Sequence, residues 1–136
     1  MKMSAAFVDS SFYVALLISR DSHHLHARQL AAAWNGPVVT TEYVLIEVAN
    51  FLRGSAQRRQ QFGALLANLA ADPRTQIVES SRPLWQRGVD RYLNRPDKEW
   101  SLTDCISFAV MEEHNMTCAL TMDHHFEQAG FIVLAS

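Results

Sequence analysis

Residues 5–18 read AAFVDSSFYVALLI, and this stretch decides the fold class. The short apolar run at 5–8 predicts a buried strand, and the polar residues at 9–11 predict a turn. The longer apolar run at 12–18 predicts the start of a helix. A buried strand that leads through a polar turn into a helix is typical of α/β proteins, so we expect a sheet covered by helices.

Apolar patterning in the rest of the chain predicts further helices and strands. Apolar residues recur at helical spacing between 21 and 34, and again from a cap at Thr40 or Thr41 as far as Gly54. More helices are predicted over a segment that ends near 72, and at 81–93, 101–115 and 124–129, with strands at 75–79, 117–122 and 131–134. We therefore predict one α/β domain over residues 1–136, a three-layer sandwich with a central, mainly parallel sheet flanked by helices.

The composition indicates a globular protein, with 49% hydrophobic and 19% charged residues in a chain of 136. A net charge of −2 argues against a protein that binds nucleic acid through a general excess of basic residues. The longest apolar run, at 12–18, is far shorter than the roughly 20 residues that a membrane helix needs. Two cysteines are too few for a disulfide scaffold, so we expect buried thiols in a soluble, cytoplasmic protein.

Two aspartates come directly after predicted strands. Asp9 follows the first strand, and Asp123 follows the strand at 117–122. The carboxyl ends of parallel strands meet at the edge of the sheet where α/β proteins bind their ligands. Aspartate at such a junction is also a common helix N-cap, so position alone leaves both a catalytic and a capping role open.

Two further acids, Glu47 and Asp104, occupy positions where a carboxylate is expected to have a binding partner. Glu47 interrupts the apolar face that Val44 and Phe51 form on the third predicted helix, and either a metal ion or an internal arginine would satisfy it. Asp104 stands three residues after Ser101, a spacing typical of a capping box. All four acids border one predicted crevice, and such a group of carboxylates is tolerable where cations neutralise it.

Four short motifs, in order along the chain, resemble those of one protein family. They are AFVDSS at 6–11, TEYVLIE at 41–47, WSLTDCISF at 100–108, and ALTMDHHF at 119–126 followed by AGF at 129–131. Together they resemble the PIN-domain proteins, and among these the VapC toxins of type II toxin–antitoxin pairs. The resemblance covers essentially the whole chain, and four ordered motifs are more specific than any single acid.

This resemblance implies a metal-dependent endoribonuclease with the PIN sandwich fold. Asp9, Glu47, Asp104 and Asp123 match the family's catalytic acidic quartet, which binds Mg²⁺ or Mn²⁺. Asp9 and Asp104 are then expected as direct ligands, with Glu47 and Asp123 acting partly through water. The resemblance also implies an RNA substrate, a cognate antitoxin and a homodimer. A PIN nuclease of housekeeping RNA processing and a non-catalytic binding module remain as alternatives.

Other polar and aromatic residues carry weaker predictions. The histidines at 23, 24, 26, 124 and 125 lack the i, i+4 spacing of paired metal ligands, and we expect a solvated helix start at 124–125. Ser10, Thr103 and Thr121 are candidates either for orienting ligands or for capping and turn packing. Aromatic residues such as Trp100 are more often core or interface residues than base-stacking ones, and Trp100 is the best of them for a role at the rim of the crevice. Phosphate contacts or solvated helix faces are the two interpretations of the arginines at 53, 58, 59, 82, 87, 91 and 95.

Overall fold

The computed structural model describes residues 4–134. Within that range the strands are β1 (Ala6–Val8), β2 (Val38–Thr41), β3 (Thr75–Val78), β4 (Cys118–Leu120) and β5 (Ile132–Val133). The helices are α1 (Ser10–Leu17), α2 (His24–Ala33), α3 (Glu42–Phe51), α4 (Ala56–Ala71), α5 (Arg82–Asn94), α6 (Leu102–Glu113) and α7 (His125–Gln128). The predicted domain also includes residues 1–3 and 135–136, which lie outside the described residues.

The five strands form one parallel sheet in the order β3-β2-β1-β4-β5. In this sheet β1 is central, because Ala6 aligns with Val38 of β2 on one side and with Cys118 of β4 on the other. The chain passes from β1 to β2 and β3 in one direction and then places β4 and β5 on the opposite side. The strand order therefore reverses between β1 and β4, where open α/β sheets bind their ligands. The predicted fold class is confirmed.

Strand β2 is absent from the sequence-based prediction, which assigned Thr40 or Thr41 only to a helix cap. Thr41 has both roles, because it ends β2 and its hydroxyl accepts a hydrogen bond from the amide of Val44 at 3.0 Å. Thr40 is buried, and its hydroxyl donates to the carbonyl of Val8 at 2.9 Å. Four β-branched residues favour a strand, but this one leads directly into the helix cap, so its own pattern is short and easily overlooked.

Helix α6 is enclosed by the rest of the protein, and it carries one of the predicted site residues. Every residue from 104 to 111 is buried, as expected of a helix that is covered on all sides. Its close packing on α5 depends on Gly88, where a Cβ would collide with Cγ1 of Ile106. The surrounding core thus fixes the position of the first turn of α6, which contains Asp104.

Trp100, the candidate for the crevice rim, is instead a core residue and is only 6% exposed. Its ring packs edge-on against Phe108, with 5.1 Å between the ring centroids, and its indole N–H donates to Oε1 of Gln128 at 3.1 Å. The rim prediction is wrong because the indole has both an apolar neighbour and a hydrogen-bond acceptor inside the fold.

Of the two cysteines expected as buried thiols, only one is fully buried. Cys105 is buried, Cys118 is half-buried, and both are free thiols. Between residues 4 and 134 no helix combines the length and the apolar character needed to cross a membrane.

Candidate active site

Three aspartates lie together where the strand order reverses. Asp9 directly follows β1, Asp123 comes after β4, and Asp104 lies in the first turn of α6. One carboxylate oxygen from each residue lies within 4.8 Å of those from the other two. Asp9 and Asp104 are only 2% and 5% exposed, and Asp123 is half-buried. Three of the four acids singled out from the sequence therefore share one site, which we call the aspartate cluster.

Hydroxyl groups hold one carboxylate oxygen of Asp9. Its Oδ2 accepts hydrogen bonds from the hydroxyls of Ser11 and Thr121, both at 3.0 Å. Ser11 in turn accepts the amide of Met122 at 2.9 Å, and Thr121 accepts the amide of Asp123 at 3.0 Å. These bonds fasten the turn after β4 to Asp9. The other oxygen, Oδ1, is buried without a hydrogen-bond partner among the described residues, an arrangement that is unfavourable for a charged group unless a cation binds it.

Asp104 is both a helix cap and a member of the aspartate cluster. The hydroxyl of Ser101 accepts the amide of Asp104, and Oδ2 of Asp104 accepts the amide of Ser101, both at 3.0 Å. The predicted capping box is therefore confirmed. The same Oδ2 lies 3.0 Å from Nδ1 of His125. Capping and a role in the site are compatible, because both of these contacts use one oxygen and leave Oδ1 to other partners.

His125 belongs to the site, although a solvated position was expected for it. Its Nδ1 lies 3.0 Å from Oδ2 of Asp104 and 3.0 Å from Oδ2 of Asp123, and its side chain is 19% exposed. Both neighbouring carboxylate oxygens can accept a hydrogen bond, so the tautomer with its proton on Nδ1 fits this arrangement. His124 is 75% exposed, as expected. The prediction is wrong for His125 because the turn after β4 brings its ring against Asp104, which is 21 residues away in the sequence.

The environment of the cluster raises the pKa of two of its carboxyl groups. Burial is the main reason why the pKa of Asp9 rises from 3.8 to about 7, and the nearby charge of Asp104 adds to the effect. Burial also raises the pKa of Asp104, with a further contribution from the charge of Asp123. Without a cation, ionisation of Asp9 is therefore unfavourable up to about neutral pH. A divalent cation would offset the repulsion and favour full ionisation.

Glu47 lies outside the group of oxygens that meet within 4.8 Å. It is half-buried on α3, and its Oε1 accepts a hydrogen bond from the hydroxyl of Ser10 at 2.6 Å. The ion pairs found in residues 4–134 do not include Glu47, so the internal arginine suggested as its partner is absent there. Beside Glu47 lies a groove of about 600 Å³, here called the α3 groove, whose lining includes Ser10, Ser11, His23, Glu47, Phe51 and Arg53.

The donor set of the aspartate cluster fits a divalent cation that prefers oxygen ligands. Three carboxylates meet there, and one of their buried oxygens, Oδ1 of Asp9, has no other partner in the described structure. Carboxylate oxygens are the ligands that Mg²⁺ and Mn²⁺ favour in proteins. The residues present therefore fit such an ion, and the site agrees with the metal dependence expected of a PIN nuclease.

The predicted arginines divide into two groups. Those at 87, 91 and 95, on α5 or at its C-cap, form ion pairs with Glu113, Glu112 and Asp97. Within residues 4–134 no ion pair includes the arginines at 53, 58, 59 and 82. Only this second group can bind a phosphate without first losing an ion pair.

The hydroxyl residues near the site also divide. Ser10 and Thr121 donate to Glu47 and Asp9, whereas the hydroxyl of Thr103 forms no hydrogen bond within the described residues. Ser11 was not among the predicted residues, although it forms two of the bonds that hold the site together. Its position two residues after Asp9, in a polar turn, is a pattern in which serine often bonds to a neighbouring group.

The chain belongs to the PIN-domain family, which matches residues 6–132. It is 30% identical over 126 residues to the 23S rRNA-specific endonuclease VapC20 of Mycobacterium tuberculosis, in a match that covers 93% of this chain and 95% of that protein. The crystal structure of Mycobacterium tuberculosis VapC20, a sarcin–ricin loop cleaving toxin, has a TM-score of 0.87 and 27% identity, and the match covers 98% and 100% of the two chains. These findings confirm the resemblance to VapC-type ribonuclease toxins.

Other solved structures share the fold at lower sequence identity. VapBC2 from Rickettsia felis, solved with a DNA fragment from its promoter, has a TM-score of 0.65 and 16% identity over 96% of this chain and 97% of that chain. FitAcB from Neisseria gonorrhoeae has a TM-score of 0.64 and 15% identity over 95% and 96%. At such identities the likeness concerns the fold alone.

Proposed function

We propose that this chain is a Mg²⁺- or Mn²⁺-dependent endoribonuclease, the toxin of a toxin–antitoxin pair, that works in the cytoplasm as one catalytic domain over residues 1–136. The observation that carries the proposal is the aspartate cluster, with its buried and unpartnered Asp9 oxygen at the switch point of a PIN fold. A set of caps and ion-pair partners, as in a non-catalytic module, would not bring three acids within 4.8 Å of one another.

The aspartate cluster would hold the cation, with Asp9 and Asp104 as direct ligands and Asp123 and Glu47 acting partly through water. The burial of Asp9 and Asp104 supports a direct role, and the position of Glu47 outside the cluster supports contact through water. When bound, the cation supplies Lewis-acid chemistry: it polarises the scissile phosphate and makes water more acidic for in-line attack.

The neighbouring residues keep these acids in position. Ser11 and Thr121 donate to Oδ2 of Asp9 and leave its Oδ1 for the cation. His125, with its proton on Nδ1, stands between Asp104 and Asp123 and offsets their mutual repulsion. Ser10 fixes Glu47 through Oε1, so that Oε2 can accept a hydrogen bond from water in the α3 groove.

The proposed substrate is RNA, and the proposed partners are an antitoxin and a second copy of this chain. VapC20 acts on 23S rRNA, which makes 23S rRNA the first substrate to test. Support for an antitoxin comes from the match to VapC20, which is a toxin, and the toxin–antitoxin complex from Klebsiella pneumoniae shows that this fold occurs in such complexes. A VapC-type toxin would have its crevice covered by the antitoxin until that protein is removed.

The activity is tested by incubating the purified protein with ribosomes and Mg²⁺ and mapping cuts in the 23S rRNA. We expect discrete cleavage that EDTA stops and Mn²⁺ restores, and no cleavage by Asp9→Asn. The matched control is Asp90→Asn, which removes an exposed carboxylate on α5 and should cleave normally. Activity that survives EDTA or the Asp9→Asn change would show that the cluster is not a metal-dependent catalytic site.

The biological role needs a separate experiment in cells. Expression of the wild-type chain should arrest growth, and expression of Asp9→Asn should not. Co-expression of a small protein encoded beside this chain should restore growth and co-purify with it. Normal growth during expression of a protein that cleaves RNA in vitro would favour a nuclease of housekeeping RNA processing.

A further inference from the structure

The α3 groove is lined by Ser10 and Ser11, which donate hydrogen bonds to Glu47 and Asp9, and also by an exposed aromatic residue and an arginine. We propose that it binds the nucleotide next to the scissile phosphate, with Phe51 stacked on the base and Arg53 bound to that nucleotide's own phosphate. This inference rests on the proposed function, and it assigns two substrate-positioning residues outside the acidic quartet. The chemical class of the ligand is a single-stranded ribonucleotide segment.

The groove adjoins the site through two serines that it shares with the acids. Ser11, which donates to Asp9, and Ser10, which donates to Glu47, both line the groove. An RNA strand with its reacting phosphate at the cluster therefore has this groove as an adjoining path for the next nucleotide. The volume of about 600 Å³ lies within the range of pockets that hold small organic ligands.

Phe51 presents an apolar ring to this path. Phe51 is 65% exposed, whereas Val44 and Val48 on the same helix are buried in the core. Packing within the fold therefore does not account for a phenylalanine at this position. Glu47, Asn50 and Phe51 have the i, i+3, i+4 spacing that aligns side chains on one helix face, and all three line the groove. Phe51 therefore lies about one helical turn, roughly 5.4 Å along the helix axis, from Glu47. Aromatic rings at such places stack with unpaired bases.

Arg53 supplies a positively charged group to the lining of the α3 groove. Its Nη1 donates to the carbonyl of Asn50 at 2.8 Å, and its own carbonyl accepts Nε of Arg59 at 3.0 Å. No ion pair within residues 4–134 includes Arg53, so its other N–H donors are available to a phosphate. Asp21, which also lines the groove, accepts the amide of His23 at 2.8 Å, which engages that carboxylate in a turn. The groove lining thus combines Glu47, a member of the acidic quartet, with Arg53, whose guanidinium group is available to a phosphate.

Cleavage kinetics test the role of Phe51. With an RNA hairpin that carries the sarcin–ricin loop, we expect Phe51→Ala to raise KM by about tenfold with little change in kcat, and Phe51→Trp to restore KM. Tyr92→Ala is the matched control, because Tyr92 is an exposed aromatic on α5, away from the groove, and should leave KM unchanged. A KM within about twofold of the wild-type value for Phe51→Ala would overturn the proposal.

Binding measurements decide the question even if that hairpin is not cleaved. Fluorescence anisotropy with a labelled single-stranded oligoribonucleotide of mixed sequence, in the Asp9→Asn background, should show weaker binding after Phe51→Ala. Arg53→Gln should weaken binding and reduce the salt slope by about one, whereas Arg82→Gln, at an arginine without an ion pair on α5, should not. Unchanged RNA binding combined with loss of antitoxin binding would assign the groove to the antitoxin and overturn the proposal. If the wild type cleaves no RNA with any metal, the proposed function fails, and anisotropy still tests the groove.

Discussion

The aspartate cluster and Glu47 carry the same chemical group in different surroundings. Asp9 and Asp104 are buried beside each other, and the environment raises the pKa of both. Glu47 is half-buried in a groove wall, where a single hydroxyl, that of Ser10, satisfies one of its oxygens. The cluster is therefore unfavourable without a cation, whereas Glu47 is satisfied locally. In the proposed function, this difference separates the residues that would hold the metal ion from a residue that would act beside it.

The largest expected effect separates the two roles of Asp104. Asp104→Asn keeps an oxygen for the capping box but loses the charge, so we expect activity to fall by more than about 100-fold, since even outer-shell changes around a metal cost ~10–100-fold. Ser101→Ala, which removes the cap hydroxyl, should cost about 1 kcal/mol of stability and leave most activity intact. Kinetics and thermal unfolding of both variants check this. Equal loss of activity in both would mean that Asp104 acts only as a cap.

The next effect concerns how the stability of the metal-free protein depends on pH. The pKa of Asp9 is about 7 in the fold against 3.8 ordinarily, so the folded state binds more protons than the unfolded state between these values. The free energy of unfolding should therefore decrease as pH rises from about 4 to about 7, by as much as several kcal/mol. Denaturant-induced unfolding in the presence of EDTA measures this pH dependence. Adding Mn²⁺ should stabilise the protein most at the upper end of the pH range, near pH 7. Asp9→Asn should flatten the dependence, and an unchanged slope in that variant would assign the effect elsewhere.

A smaller effect is expected at Glu47. Glu47→Gln keeps an acceptor for Ser10 and removes the charge, so we expect kcat to fall by about tenfold, the lower end of the effects of outer-shell residues. The increase in melting temperature on adding Mn²⁺ should stay close to that of the wild type. If the Mn²⁺-induced increase disappears in Glu47→Gln, then Glu47 is a direct ligand and the distinction from the cluster fails.

The positions of the acids were predictable because they follow from topology. Asp9 and Asp123 come after β1 and β4, which neighbour each other in the parallel sheet, and both strands are visible in the sequence as short apolar runs. The capping box at Ser101 and Asp104 was visible as local spacing. A single sequence contains signals of this kind, because they depend on residues that are close in the chain or on where helices and strands end.

The contacts that complete the site were less accessible to prediction. The hydroxyl of Ser11 meets that of Thr121 at 3.0 Å across 110 residues, and His125 reaches Asp104 across 21 residues. The periodicity of apolar residues in the sequence does not indicate such contacts, since they depend on how the turn after β4 bends. Trp100 was the rim candidate but is buried, and the sequence alone did not indicate this because its burial depends on tertiary packing against Phe108.

The smallest expected effect tests how hydroxyls tune the cluster. The Thr121 hydroxyl donates to Asp9 and accepts the amide of Asp123, so Thr121→Val should cost about 1–3 kcal/mol of stability. Donation by this hydroxyl lowers the pKa of Asp9, so the variant should raise that pKa further and move Mn²⁺-induced stabilisation to higher pH. Thr103→Val, at a hydroxyl without a hydrogen bond in the described residues, is the matched control. Melting curves across pH with and without Mn²⁺ check both variants, and a shift of equal size in the two would mean that the Thr121 hydroxyl has no specific effect on Asp9.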